Sequence, residues 1–325
     1  MLNLCQALNS GMRKAMENDP KVLVMGEDVG TLGGVFRVTD GLQKDFGEDR
    51  VMDTPLAESG IIGTAIGLAL RGYRPVCEIQ FDGFVYPAFN QIVSQLAKLH
   101  ARTAGKLRVP VVIRIPVGGG IGAVEHHSES NEAYFAHTAG LRVVYCASPN
   151  DAHWMIRQAI ACDDPVIFYE PMRRYWTKGD VAKDADAPEV LSLDRARTVR
   201  PGTDLTLLSW GGTVETCLAS ARVAEDEGHS IEVIDLRSLA PLDMACITES
   251  VSRTHRAVVV HEAPLCGGVG AEIVAAITEQ CFYDLEAPVT RVGGLNMPYP
   301  PAKLEKQYLP DLDRVLDATD RSFAW

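Results

Sequence analysis

Residues 109–129 read VPVVIRIPVGGGIGAVEHHSE. A β-branched run, Val109 to Ile115, passes into Gly118–Gly119–Gly120–Ile121–Gly122–Ala123, which has the spacing G-x-G-x-x-A. A dinucleotide loop of that pattern opens directly into a helix, whose N-terminus faces the pyrophosphate. Here the glycines lead instead to Ala123–Val124–Glu125–His126–His127–Ser128–Glu129–Ser130, which is not apolar at helical spacing. A helical pattern resumes near Asn131, with Ser128 or Ser130 available as its cap. The stretch reads as a buried strand of a parallel sheet, ending in a loop that carries two histidines.

Working outward, the same alternation continues on both sides. Strand candidates are 22–26, 75–79, 111–115, 141–145 and 166–169; between them lie helix candidates 59–70, 84–101, 131–137 and 150–161. Short apolar strands separated by helices predict parallel sheets covered on both faces. Residues 172–204 break the pattern with charge, proline and glycine. A second alternation follows: strands 205–210, 231–236, 257–261 and 288–292, helices 214–227, 243–253, 271–282 and 311–323. The expected fold class is α/β, two three-layer α/β domains over 1–180 and 205–325, joined by a linker over 181–204. No internal repeat or low-complexity tract interrupts this.

Composition narrows the function classes. The chain has 325 residues, 31 basic and 43 acidic, for a net charge of −12. That balance argues against nucleic acid as a partner, whose footprint would be basic and clustered. The longest weakly polar run, Gly60 to Leu70, is too short to cross a bilayer. Residues 1–20 carry Leu4, Leu8, Met12 and Met16 at helical spacing, a first helix and not a signal peptide. The eight cysteines are scattered without a C-x-x-C pair, which argues for reduced thiols, against zinc, and for a cytoplasmic location.

Two further stretches carry weight. Cys266–Gly267–Gly268–Val269–Gly270 runs from a strand into a helix and reads as a turn where helix packs tightly on sheet. In Thr54–Pro55–Leu56–Ala57–Glu58, a carboxylate stands at the first turn of an apolar helix whose Gly60, Gly63 and Gly67 leave one side smooth. Each glycine costs about 1 kcal/mol relative to alanine there. Three of them point to close approach of another backbone, such as a neighbouring subunit. Glu58 fits either a simple partner of the helix dipole or a carboxyl with raised pKa suited to acid catalysis.

Together these blocks resemble one family along the whole chain, the β subunits of the thiamine-diphosphate-dependent 2-oxo acid dehydrogenase (E1) components. The matching blocks are Thr54–Pro55–Leu56–Ala57–Glu58, Glu78–Ile79–Gln80–Phe81, Pro87–Ala88–Phe89–Asn90–Gln91–Ile92–Val93, His127–Ser128–Glu129 and Phe135–Ala136–His137. Phe168–Tyr169–Glu170–Pro171, Val233–Ile234–Asp235–Leu236–Arg237 and His261–Glu262–Ala263–Pro264 complete the series. The second, third and fourth blocks, and Met172–Arg173–Arg174–Tyr175 after YEP, are most similar to the bacterial branched-chain subgroup; the pyruvate subgroup is the alternative.

The resemblance implies a pyrimidine-binding domain followed by a domain of the transketolase C-terminal type. It implies that Glu58 hydrogen-bonds the aminopyrimidine ring of thiamine diphosphate, and that Leu56, Gln80 and Phe84 line that ring. His127 would assist acyl transfer to a lipoyl group, with the glycine loop giving it room on a flexible support. It further implies a potassium ion held by backbone carbonyls at Val111, Ala159, Ile160, Cys162 and Asp164. No G-D-G with a downstream Asn is present, so the diphosphate and its Mg2+ are assigned to an E1 α subunit in an α2β2 assembly that serves a lipoylated E2 acyltransferase. A partner is expected to bury the aromatic C-terminus. From a different class, a non-catalytic assembly subunit or a dinucleotide-binding subunit would explain the same α/β domains and glycine loops.

Overall fold

The computed structural model describes all 325 residues. The first sheet has seven strands in the order Ser238–Ala240, Arg142–Tyr145, Val166–Pro171, Val112–Val117, Arg74–Glu78, Val22–Gly26, Val51–Asp53. All pairs are parallel except the one made by Ser238–Ala240. The central strands are buried along their whole length, as the unbroken apolar runs require when helices cover both faces. The second sheet runs Thr290–Gly294, Ala257–Pro264, Leu205–Ser209, Ile231–Asp235, Arg197–Arg200, again parallel except for its last member.

Local chemistry sets the helices. Helix Leu4–Asn18 begins in a capping box: Asn3 accepts from the Gln6 amide, and the Gln6 side chain accepts from the Asn3 amide. Its buried face holds Leu4, Leu8, Met12 and Met16, the spacing read from sequence. That face packs on helix Pro149–Ala161, capped by Ser148. Residues 84–101, expected as one helix, form a 3-10 turn (Asp82–Ala88), a π-helical stretch (Gln91–Leu96) and a short α-helix (Ala97–Arg102). Neither Ser128 nor Ser130 caps the helix after the histidines; Asn131 immediately precedes Glu132–Ala136 and makes no side-chain cap bond.

The two sheets share one core. A single buried cluster contains Ile113, Ile115 and Val143 of the first sheet together with Leu208, Ile234 and Val259 of the second. Within 181–204 the structure places a strand of the second sheet, Arg197–Arg200, while Ser238–Ala240 returns from the second unit to edge the first sheet. All eight cysteines are unpaired. No helix is long and apolar enough to cross a membrane.

Candidate active site

The strands of the first sheet run outward and back: chain order places Val51–Asp53 on one side of Val22–Gly26 and then Arg74–Glu78 on the other. In open α/β sheets a crevice opens at the carboxyl ends of strands where the order reverses in this way. Gly26 is paired with both Asp53 and Glu78, so the three following loops emerge side by side. They carry Glu27 and Asp28, Leu56 and Glu58, and Gln80 to Phe84.

Glu58 opens helix Glu58–Leu70 and is half-buried. Glu27 is buried, and one of its carboxylate oxygens has no hydrogen-bond partner. Burial, and then the charges of Glu58 and Asp28, push the Glu27 carboxyl above the usual range. Gln80 spans the crevice, donating to Asp28 Oδ2 at 3.1 Å and more weakly to the Glu27 carbonyl at 3.4 Å. Leu56 is 81% exposed, an unusual position for a large apolar side chain beside a carboxylate cluster. The glycine side of the helix is equally open: a Cβ at Gly67 would meet nothing within 4 Å, and at Gly60 only Ala57. The close backbone approach expected there does not come from this chain.

His127 completes the group. Its ring lies 4.1 Å from Phe81 and 5.2 Å from Phe84, edge-on to both. Its Nδ1 is buried without a partner. Burial, and then neighbouring His126, lower its pKa, which leaves the imidazole neutral at pH 7. His126 also leans on Phe84, at 5.9 Å, and its exposed ring pairs with Glu125 at 3.5 Å. The close packing of the two loops depends on Gly83, where a Cβ would lie 2.5 Å from the His126 carbonyl oxygen. No cluster of three His, Cys, Asp or Glu is arranged to hold a metal.

The glycine loop is not the flexible support expected of it. Its amides are already occupied by carboxylates of the second sheet's unit. Gly119 donates to Glu262 at 3.0 Å, and Gly120 to Glu305 at 2.8 Å. Gly118 donates to the Glu129 carbonyl at 3.1 Å and closes the loop at its base. Nothing in 109–129 signals this, because the carboxylates lie 143 and 185 residues away from the amides they bind. The second glycine cluster is a packing turn: a Cβ at Gly270 would sit 2.5 Å from His261 Nε2 on the adjacent strand.

The potassium positions lie at the opposite, amino-terminal edge of the sheet, away from the other site residues. There Arg74 Nη1 donates to the carbonyls of Ile160 and Cys162, both at 3.0 Å. The Val111 carbonyl accepts from the Val166 amide and the Ala159 carbonyl from the Cys162 amide. The Asp164 carboxylate is bound by Arg142 at 3.0 Å. Arg74 thus already draws on two of these five carbonyls. No catalytic step is routed through a potassium ion here.

Comparison with known proteins accords with this fold. The transketolase pyrimidine-binding domain family matches residues 1–176, and the transketolase C-terminal domain family matches 194–315. The chain is 60% identical to the pyruvate dehydrogenase E1 component subunit beta of Leifsonia xyli, over 100% of this chain and 95% of that one. It is 56% identical to the 3-methyl-2-oxobutanoate dehydrogenase subunit beta of Mycobacterium tuberculosis, over 98% of this chain and 91% of the relative. Among solved structures, a split-gene transketolase described as an inactive β4 tetramer superposes with a TM-score of 0.81 at 21% identity, covering 99% of this chain and 98% of that one.

Proposed function

The chain belongs to the family of 2-oxo acid dehydrogenase E1 β subunits, and on that premise we propose that it supplies half of a thiamine-diphosphate site for oxidative decarboxylation of branched-chain 2-oxo acids. The observation that carries the reading is the convergence of Glu58, Gln80, Phe84 and His127 on loops around one crevice, open on the side where Leu56 and the glycine face are bare.

The residues present fit the pyrimidine half of the cofactor. Glu58 stands at the crevice with a side chain free to hydrogen-bond a ring nitrogen, while Leu56 and Phe84 offer apolar walls. When bound, thiamine diphosphate supplies the electron sink for loss of carbon dioxide. The protein's part is to hold protons. Glu27 sits close enough to Glu58 for the Glu58 charge to raise the Glu27 carboxyl. A crevice of this kind suits a carboxyl that gives and takes back a proton. Gln80 is oriented by its bond to Asp28. His127, neutral and seated on Phe81 and Phe84, is suited to accept or donate a proton during acyl transfer to a lipoyl group, with both rings excluding water from one side.

The diphosphate and its Mg2+ are assigned to an α subunit, giving an α2β2 assembly in which a second chain covers Leu56 and the glycine face. A lipoylated E2 acyltransferase then receives the acyl group, in the cytoplasm. Phe323 packs on His229 within this chain, with ring centroids 4.1 Å apart, so only Trp325 of the aromatic terminus is left for a partner to cover. The 60% identity to a pyruvate dehydrogenase β subunit favours a second reading, with pyruvate as substrate.

The test is co-expression with candidate α subunits, followed by decarboxylation of 3-methyl-2-oxobutanoate and pyruvate with thiamine diphosphate and Mg2+. Activity confined to the assembled pair and higher with the branched acid supports the proposal. Preference for pyruvate selects the second reading. Full activity of the β chain alone overturns both.

A further inference from the structure

We propose that Glu305, with Glu262, is a positioning residue that reaches from the second unit to hold the His127 loop in register for acyl transfer. The inference rests on the reading of His127 given above. Two backbone amides of a glycine loop pointing to one side form a concave anion site. In a nucleotide-binding protein a phosphate would fill it. Here the anions are built into the chain.

Glu305 is buried, and its Oε1 accepts from the Gly120 amide at 2.8 Å and from the Tyr299 hydroxyl at 2.7 Å, with the Gly122 amide more distant at 3.4 Å. Hydrogen bonds to a carboxylate are shorter and stronger than neutral ones. Glu262 accepts from Gly119 at 3.0 Å while its other oxygen pairs with Arg173 at 2.8 Å. Gly119 admits no side chain, because Tyr299 Oη occupies the place of a Cβ. Gly120 has φ +96°, and a Cβ there would lie 2.9 Å from Arg173 Cβ. The loop is thus gripped at Gly119 and Gly120 and tied at its base by the bond from Gly118 to Glu129. His127 stands between grip and tie with its Nδ1 unpartnered. Only ring contacts with Phe81, Phe84 and His126 fix that imidazole, so its placement depends on the loop.

The consequence is a split between two activities. Decarboxylation needs Glu58, which lies on another loop; transfer to the lipoyl group needs His127. The assembled α–β enzyme is compared as wild type, Glu305→Ala, Glu305→Gln, Gly119→Ala and His127→Ala. Each is assayed with an electron-accepting dye for decarboxylation and with oxidised lipoamide for acyl transfer. We expect the ratio of lipoamide to dye activity to fall at least 10-fold in Glu305→Ala and Gly119→Ala, and less in Glu305→Gln, which keeps an oxygen acceptor. Amide hydrogen exchange over 118–129 should speed up in the same variants and not in His127→Ala. An unchanged ratio, or a parallel loss of both activities with melting temperature, overturns the proposal. If His127→Ala itself keeps full lipoamide activity, the reading of His127 fails and the split has no cause.

Discussion

Arg114 grips Glu170 with two parallel bonds, Nε to Oε1 at 2.6 Å and Nη2 to Oε2 at 2.8 Å, and neither side chain is exposed. The remaining nitrogen of the fork takes Glu78 at 2.6 Å, and Tyr175 donates to Glu170 at 2.8 Å. One buried cation thus bridges two carboxylates on the strands that flank its own, just beneath the candidate site. Arg114→Met keeps volume and removes the charge, leaving two carboxyl groups in the core without a counter-ion. Loss of one partner of a buried pair costs about 3–5 kcal/mol. The variant is expected to lose most of its soluble folded protein, read by yield and by melting temperature; a melting point within two or three degrees of wild type would contradict this account.

Glu132 gives a pH signature. Its side chain is buried and accepts from Trp210 Nε1 at 3.2 Å, a bond between the two halves of the molecule. Burial raises its pKa to about 7. An ordinary unfolded Glu titrates near 4.3, so between about pH 4.5 and 7 the folded chain binds more protons than the unfolded one. The Glu132 contribution to stability is therefore full below that window and is lost as pH rises through it, by about 4 kcal/mol at most. Glu132→Gln keeps the acceptor for Trp210 and cannot ionise. Its melting temperature relative to wild type should climb from pH 5 to pH 7.5 and then level off. A flat difference across that range would show that Glu132 is already ionised when folded.

How much of this was legible in the sequence follows from the range of each interaction. The strands 22–26 and 112–117 and the helix opened by Glu58 carry their own periodicity and boundary signals. The crevice follows from them, because parallel strands with crossing helices bring loop residues such as Glu27 and Gln80 together. Ser238–Ala240 was not legible: three residues in an antiparallel edge have no pattern of their own, and their place in the first sheet is set by pairing with Val143 and Val144. The carboxylates on the glycine loop were hidden for the same reason. GGGIG announces amides that want an anion, but which anion depends on residues far along the chain. Arg74 carried no signal at all: the two carbonyls it binds lie 86 and 88 residues further along the chain.

Arg74 therefore carries its own prediction. Ile160 and Cys162 lie at the carboxyl end of helix Pro149–Ala161, where unsatisfied carbonyls and the helix dipole both favour a cation. Arg74 supplies it, with a further bond to Asp163 at 2.8 Å. Arg74→Met should cost about 2–3 kcal/mol, from two carbonyls deprived of a donor. Wild type should show the same melting temperature in potassium chloride and in choline chloride at equal ionic strength. Stabilisation by potassium alone would mean that an ion binds beside the guanidinium after all.

Glu58 is the most direct test of the site. It lies at a helix start, half-buried, and the chain alone gives it no fixed hydrogen-bond partner among its side-chain contacts. Glu58→Gln preserves shape and removes the exchangeable proton; general acid–base groups contribute about 100- to 10,000-fold. The assembled enzyme should lose at least 100-fold in kcat, with little change in melting temperature, because the residue is not part of the core. The same substitution has a second readout inside this chain. Glu27 is held above its usual pKa first by burial and next by the charge of Glu58, so removing that charge should lower the Glu27 midpoint in a carboxyl-carbon NMR titration. Loss of activity together with that shift supports a proton-holding role at the crevice. A shift without loss of activity would leave Glu58 an electrostatic neighbour of Glu27 and place the proton chemistry elsewhere.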